Sequence, residues 1–161
     1  MGARLLEVNN LKVAFPVGNV MAEAGRGVSF EINTGDAVGV LGESGSGKSV
    51  TALAILRLIP STGRITEGSV KFAGEDILSI DEANRRRLRG RDLSMGFQDP
   101  LTAFNPALRI GRQLLNVIRT HTSTTVQQAR TRALEVLDLV GLPNPARVMR
   151  SYPHELSGGM R

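Results

Sequence analysis

Residues 37–59 constrain this chain more than any other stretch, because three segments of different character follow one another without a break. Ala37 to Leu41 is short, apolar and valine-containing, as a buried strand of an α/β sheet reads. Gly42-Glu43-Ser44-Gly45-Ser46-Gly47-Lys48-Ser49 comes next, and from Lys48 to Ile59 apolar residues recur at Val50, Leu53, Ala54 and Leu58, a helical spacing. The middle segment satisfies G-x-x-x-x-G-K-[ST] at every fixed position. A loop that wraps a phosphate must turn its backbone N–H groups inward, which calls for glycines at unusual φ/ψ. The helix that follows presents its unpaired N-terminal N–H groups and positive dipole end to the same anion. Lys48 then reaches the β- and γ-phosphates, and the Ser49 hydroxyl is placed to ligand Mg²⁺. The pattern predicts a nucleotide site. The dinucleotide fingerprint G-x-G-x-x-G does not occur, which argues against a Rossmann reading.

Composition sets the outer bounds. The 161 residues suit one domain, or one domain with a small subdomain, and 41% hydrophobic residues are enough for a core. With no Cys, there is no disulfide framework, thiolate metal site or cysteine nucleophile, and two isolated His residues suggest no metal centre. A net charge of +5 suits nucleic acid, anionic lipid or nucleotide, and decides nothing by itself. No run reaches the length of a membrane span, and Met1 to Asn10 lacks the apolar core of a signal peptide, so a soluble chain made in the cytosol is expected.

Along the chain, Leu5–Phe15, Val28–Ile32, Ser69–Phe72 and Leu93–Phe97 read as strands, with a turn at Asn33–Asp36. Asp81–Arg89 reads as a short charged helix with Asp81 as its N-cap. From Ile110 to Val140 helical spacing dominates, and Gly141 with Leu142-Pro143 stops it. An α/β section to about Gln98 therefore precedes a helical one.

Two further segments carry chemistry. Met95-Gly96-Phe97-Gln98-Asp99-Pro100 puts a glutamine at a strand end, where it can touch Mg²⁺ or position a water. Tyr152-Pro153-His154-Glu155-Leu156-Ser157-Gly158-Gly159-Met160 pairs an N-capping serine with two glycines that open the backbone to an anion. Each alone reads as an ordinary loop. In this order, after the phosphate loop, the segments resemble the ATP-binding cassette family over essentially the whole chain. "GESGSGKS", "FQDPLTAFNP" and "YPHELSGGMR" are similar to its oligopeptide/dipeptide (and nickel) importer ATPases.

The resemblance implies a fold and a set of roles. The fold is α/β: a P-loop NTPase (RecA-like) core with an antiparallel β-subdomain and an α-helical subdomain, truncated. Residues 1–98 would hold the core and β-subdomain, 99–155 the Q-loop and helical subdomain, and 156–161 the start of the signature. Phe15 matches the adenine-stacking position. Gly42, Ser44, Gly45, Ser46, Gly47, Lys48, Ser49 and Val50 would line the cis ATP site, with Lys48 and Gln98 catalytic and Ser49 and Gln98 on Mg²⁺. Ser157, Gly158 and Gly159 would act in trans on the nucleotide of a second ATPase subunit, in a homo- or heterodimer. The implied partners are transmembrane permease subunits and, indirectly, a solute-binding protein, at the cytoplasmic face of the plasma membrane. No nucleic acid is expected.

In that family an Asp for Mg²⁺ and a Glu that polarises water follow the signature, as does a switch histidine, whereas here the chain stops at Arg161. Ile77–Glu82 is interrupted by Ser79 and precedes Gln98. Leu134–Leu139 fits an amphipathic helix, and His154 lies inside the signature segment. The expectation is the N-terminal part of a longer cassette, without turnover of its own and prone to self-association through an unpartnered sheet. The rival is a non-transport cassette acting on nucleic acid through Arg85, Arg86, Arg87, Arg89 and Arg91, although such a charge run more often forms a solvated face. A nucleotide-binding fragment with no turnover is the other alternative.

Overall fold

The computed structural model describes residues 2–97 and 103–161, in two compact units, Met1–Arg89 and Gly90–Arg161. The first unit is built on strands β1 (Arg4–Val17) and β2 (Val20–Asn33), helix α1 (Lys48–Ile55), strands β3 (Arg64–Phe72) and β4 (Glu75–Asp76), and helix α2 (Glu82–Leu88). The strands form one antiparallel sheet in the order β2-β1-β3-β4. Both long strands outrun the sequence expectation because Gly18-Asn19 closes them into a hairpin, which pairs Val17 with Val20.

β1 carries an instructive irregularity. Leu6 and Val8 are buried, and so are Leu11 and Val13, but the step from Val8 to Leu11 is three residues. A regular strand would send the two pairs to opposite faces. The register slips on both sides at Asn9–Asn10, and Asn10 takes φ 46°, which returns both pairs to one face. Opposite the slip, Gly68 takes φ 99°, and a Cβ there would lie 2.5 Å from the Asn10 carbonyl oxygen. The bulge is laced by Asn10 N–H to Ser29 Oγ at 2.8 Å and Asn10 Nδ2 to Glu67 at 3.3 Å. Lys12 Nζ bonds Glu67 at 2.9 Å, and that bond holds the carboxyl below its ordinary range.

Helix α1 packs on β1 and β2 through buried Ala54 and stops four residues before the expected Ile59. The turn at Asn33–Asp36 forms as expected, with Asp36 Oδ2 accepting from Asn33 N–H at 2.9 Å. Asp81 caps α2 by accepting from Asn84 N–H at 2.8 Å. Asp81→Ala is expected to cost ~1 kcal/mol, read as a lower urea midpoint.

Two expected strands do not form. Leu93–Phe97 shows a single bridge residue, Leu93. Ala37–Leu41 has no ladder, and Val38, Val40 and Leu41 are 50%, 61% and 95% exposed. A central strand is held by hydrogen bonds to neighbours on both edges and by covered faces. Among the described residues none lies in ladder register with 37–41, so its apolar side chains stand in the open.

Two members of the arginine run are bonded within the unit. Arg85 bonds Glu82 and the Ile80 carbonyl, and Arg89 reaches the Leu56 and Arg57 carbonyls, pinning α2 to the end of α1.

The second unit contains helices α3 (Ile110–His121), α4 (Val126–Leu139) and α5 (Pro145–Arg150), then a 3-10 turn at Pro153–Glu155. Ile110, Ala133, Leu137, Val148, Met149 and Leu156 form its buried core. Thr125 and Gln128 make a reciprocal capping box at the start of α4, and Gly141 ends that helix region at φ 73°.

Candidate functional site: the phosphate loop

The loop Gly42–Ser49 folds around the side chain of Lys48. Its ammonium donates to the Gly42 carbonyl at 2.6 Å, the Glu43 carbonyl at 2.7 Å and Ser46 Oγ at 3.2 Å. An ammonium has three protons, so these bonds use all of them. The positive charge is thereby held at the mouth of the loop.

Local geometry fits an anion. Gly45 and Gly47 take φ 80° and 91°, and Gly47 sits at the N-cap of α1, where no side chain caps the helix. The first N–H groups of α1 are therefore left for a ligand. Gly47 is required on a second count: a Cβ there would lie 2.4 Å from the Ala24 carbonyl oxygen on β2. Thr51 fastens this helix start, its N–H and Oγ1 both donating to the Gly47 carbonyl, at 2.8 and 3.0 Å.

Two hollows flank the loop. One, of about 510 Å³, is apolar and runs between β2, residues 38–42 and α1, with Val28, Phe30 and Ile55 in its wall. The other, of about 480 Å³, is polar and lies between the loop and Glu23, Ala24 and Arg26 of β2. Sequence reasoning missed Thr51 and Arg26. Thr51 had a signal, its place four residues after Gly47. Arg26 had none, because only the packing of β2 beside the loop brings it there.

Ser44 and Ser49 are exposed on the loop and Val50 is half-buried behind it. The exposed Ser49 hydroxyl at an uncapped helix start suits Mg²⁺, a hard cation that keeps water and phosphate oxygens among its ligands. No group of three or more His, Asp or Glu gathers among the described residues. Phe15 stands on β1 opposite Ala22, half-buried, with its ring against Gly63. Gln98 lies outside the described residues.

In the second unit, Leu156 is buried in the helical core and anchors the segment that follows. Ser157, Gly158 and Gly159 are exposed, in a turn closed by Met160 N–H to the Ser157 carbonyl at 3.1 Å. A Cβ on Gly158 or Gly159 would meet nothing within 4 Å, so both backbones are open to a large ligand.

Residues 26–161, and with them the phosphate loop and the Leu-Ser-Gly-Gly turn, match the ABC transporter family. The chain belongs to that family. This cassette is 42% identical over 159 residues to the oligopeptide transport ATP-binding protein OppD of Bacillus subtilis, covering 98% of this chain and 44% of that protein. It is 45% identical over 158 residues to AppD of the same organism, covering 98% and 48%. Against the probable D,D-dipeptide transport ATP-binding protein DdpD of Escherichia coli it is 44% identical, covering 98% and 48%. The chain thus spans about half the length of the curated relatives it matches. Among solved structures it resembles a dimeric ATP-binding cassette, MJ0796, in a post-hydrolysis state bound to ADP and Pi. That match has a TM-score of 0.79 and 25% identity, and covers 97% of this chain and 65% of that one. The cassette fold, mixed α/β with an antiparallel β-subdomain, is therefore as the resemblance implied. No helix among the described residues is long and apolar enough to cross a membrane.

Proposed function

We propose that this cassette is the N-terminal part of the ATP-binding subunit of a peptide importer. The observation that carries the proposal is the phosphate loop: an uncapped helix start, two left-handed glycines and the Lys48 ammonium converge on one exposed site. Gly42, Ser44, Gly45, Ser46, Gly47 and Val50 supply the cradle. Lys48 exchanges its bonds to Gly42 and Glu43 for the β- and γ-phosphates of ATP, and Phe15 offers its ring to the adenine. Ser49 and Gln98 hold Mg²⁺, which supplies charge neutralisation on the phosphates. Ser157, Gly158 and Gly159 serve the nucleotide of a second cassette, with the exposed turn as its contact. Residues 1–98, 99–155 and 156–161 act as core with β-subdomain, helical subdomain and signature.

Hydrolysis and uptake belong to the whole protein, docked on permease subunits at the cytoplasmic face of the plasma membrane and supplied by a solute-binding protein. Peptide is the solute favoured by the names of the relatives. The nucleic-acid alternative is weakened because Arg85 and Arg89 are bonded within their own unit.

Binding of a fluorescent ATP analogue to the 161-residue chain, competed by ATP and promoted by Mg²⁺, is the expected result. Absence of saturable binding sinks the nucleotide assignment. A metal-dependent ATPase assay on the same chain is expected to show no turnover. Clear turnover lost on Lys48→Ala overturns that expectation. Uptake of labelled peptide by the full-length protein with its permease tests the solute.

A further inference from the structure

The helical unit holds a second feature that nothing in the ATP site uses. Arg109, Arg112, Arg119, Arg130 and Arg150 all line one hollow of about 310 Å³. Arg109 sits at the N-cap of α3, Arg112 and Arg119 lie two turns apart on α3, Arg130 is on α4, and Arg150 ends α5. All five side chains are exposed, and no acidic residue lines the hollow. Among the described residues none of the five has a carboxylate partner; the only ion pair in this unit outside residues 90–102 is Arg132 with Glu135. Arg109 lies over the Tyr152 ring at 5.6 Å, a contact that supplies no carboxylate to its guanidinium. Leu115, Val126 and Met149 supply the apolar part of its lining. It is shaped by a close crossing, since a Cβ on Gly111 would lie 2.5 Å from the Met149 carbonyl oxygen.

Five like charges around one concavity repel one another, and a solvated helix face would intersperse both signs. The cost is offset when an anion occupies the centre. Guanidinium forks match phosphate oxygens, often in pairs of parallel hydrogen bonds. Five positive charges call for an anion that carries several negative ones. A hollow of about 310 Å³ stands at the small end of ligand sites, which favours a compact anion over an extended chain.

We propose that this arginine-lined hollow between α3, α4 and α5 binds a compact ligand with clustered phosphate groups, either a free polyphosphorylated anion or a multiply charged lipid headgroup. The site is distinct in sequence from the phosphate loop and does not depend on the nucleotide reading.

Calorimetric titration of the full 161-residue chain with inorganic tripolyphosphate tests it, in a Lys48→Ala background so that the phosphate loop does not report. Cosedimentation with phosphatidylcholine vesicles containing cardiolipin runs beside it. The expected result is saturable binding in at least one arm, weakened about tenfold or more by Arg119→Glu with Arg130→Glu. Tripolyphosphate binding alone identifies a free anion, and vesicle binding alone identifies a headgroup; both outcomes support the site. The double variant Arg86→Glu with Arg87→Glu changes net charge equally in the other unit and is expected to leave binding unchanged. If it weakens binding as much, the attraction is general and the proposal falls. No saturable binding in either arm overturns it too. So does tighter binding of a single-stranded oligonucleotide than of tripolyphosphate, lost in the same variant, because the surface then serves nucleic acid. Should circular dichroism show the glutamate pair unfolded, Arg119→Gln with Arg130→Gln gives the same reading with half the charge change.

Discussion

Lys48→Ala is expected to weaken ATP binding on the order of 100-fold, since a hydrogen bond to a charged group contributes about 1.5–3 kcal/mol and 1.4 kcal/mol is tenfold. The structure adds a condition. In the free loop Lys48 already satisfies its three protons on Gly42, Glu43 and Ser46. The loss of affinity is therefore the difference between phosphate and carbonyl partners, together with any loosening of the loop. The two can be separated. Because residues 42–46 are exposed and Lys48 is only half-buried, the variant's unfolding free energy from urea denaturation is expected to change by no more than about 0.5 kcal/mol, while its affinity for a fluorescent ATP analogue collapses. Affinity within about threefold of the parent chain contradicts the role given to Lys48.

The largest stability effect is expected at a residue far from any ligand. Gly68→Ala forces a side chain into φ 99° and brings its Cβ within 2.5–2.7 Å of the Asn9 and Asn10 backbones. Left-handed strain costs about 1–3 kcal/mol and overpacking a similar amount, so a loss of ~3 kcal/mol is expected. For a chain of this size that is a fall of roughly 10 °C in Tm. Gly35→Ala is the matched control: its φ is 87° and a Cβ there meets nothing within 4 Å. It carries the strain without the collision and is expected to cost ~1 kcal/mol. Thermal denaturation of both, side by side, decides the matter. If Gly68→Ala is no worse than Gly35→Ala, the bulge is not what holds Leu6, Val8, Leu11 and Val13 on one face.

Local chemistry was legible in advance where it depends on residues close in sequence. The phosphate loop, the Asp81 cap, the turn at Asn33–Asp36 and the stop at Gly141 each rest on partners within a few positions. Backbone sterics and short hydrogen-bonded rings leave such segments few alternatives. The order of phosphate loop, glutamine segment and Leu-Ser-Gly-Gly was legible as well, and it pointed to the family.

What depends on distant partners was not legible. The apolar run Ala37–Leu41 has a strand's composition, yet a strand exists only with neighbours in register, and among the described residues it has none. The β1 bulge was hidden because Gly68, more than fifty residues from Asn10, meets it only across the sheet. The arginines from 109 to 150 look scattered in the chain, and only the crossing of three helices gathers them around one hollow. The sequence by itself determined the glycine-rich loop with its lysine and the family to which the chain belongs. Tertiary structure decided which apolar runs are covered and which charges face one another, because burial and electrostatics depend on distance through space, and chain order specifies that distance only for near neighbours.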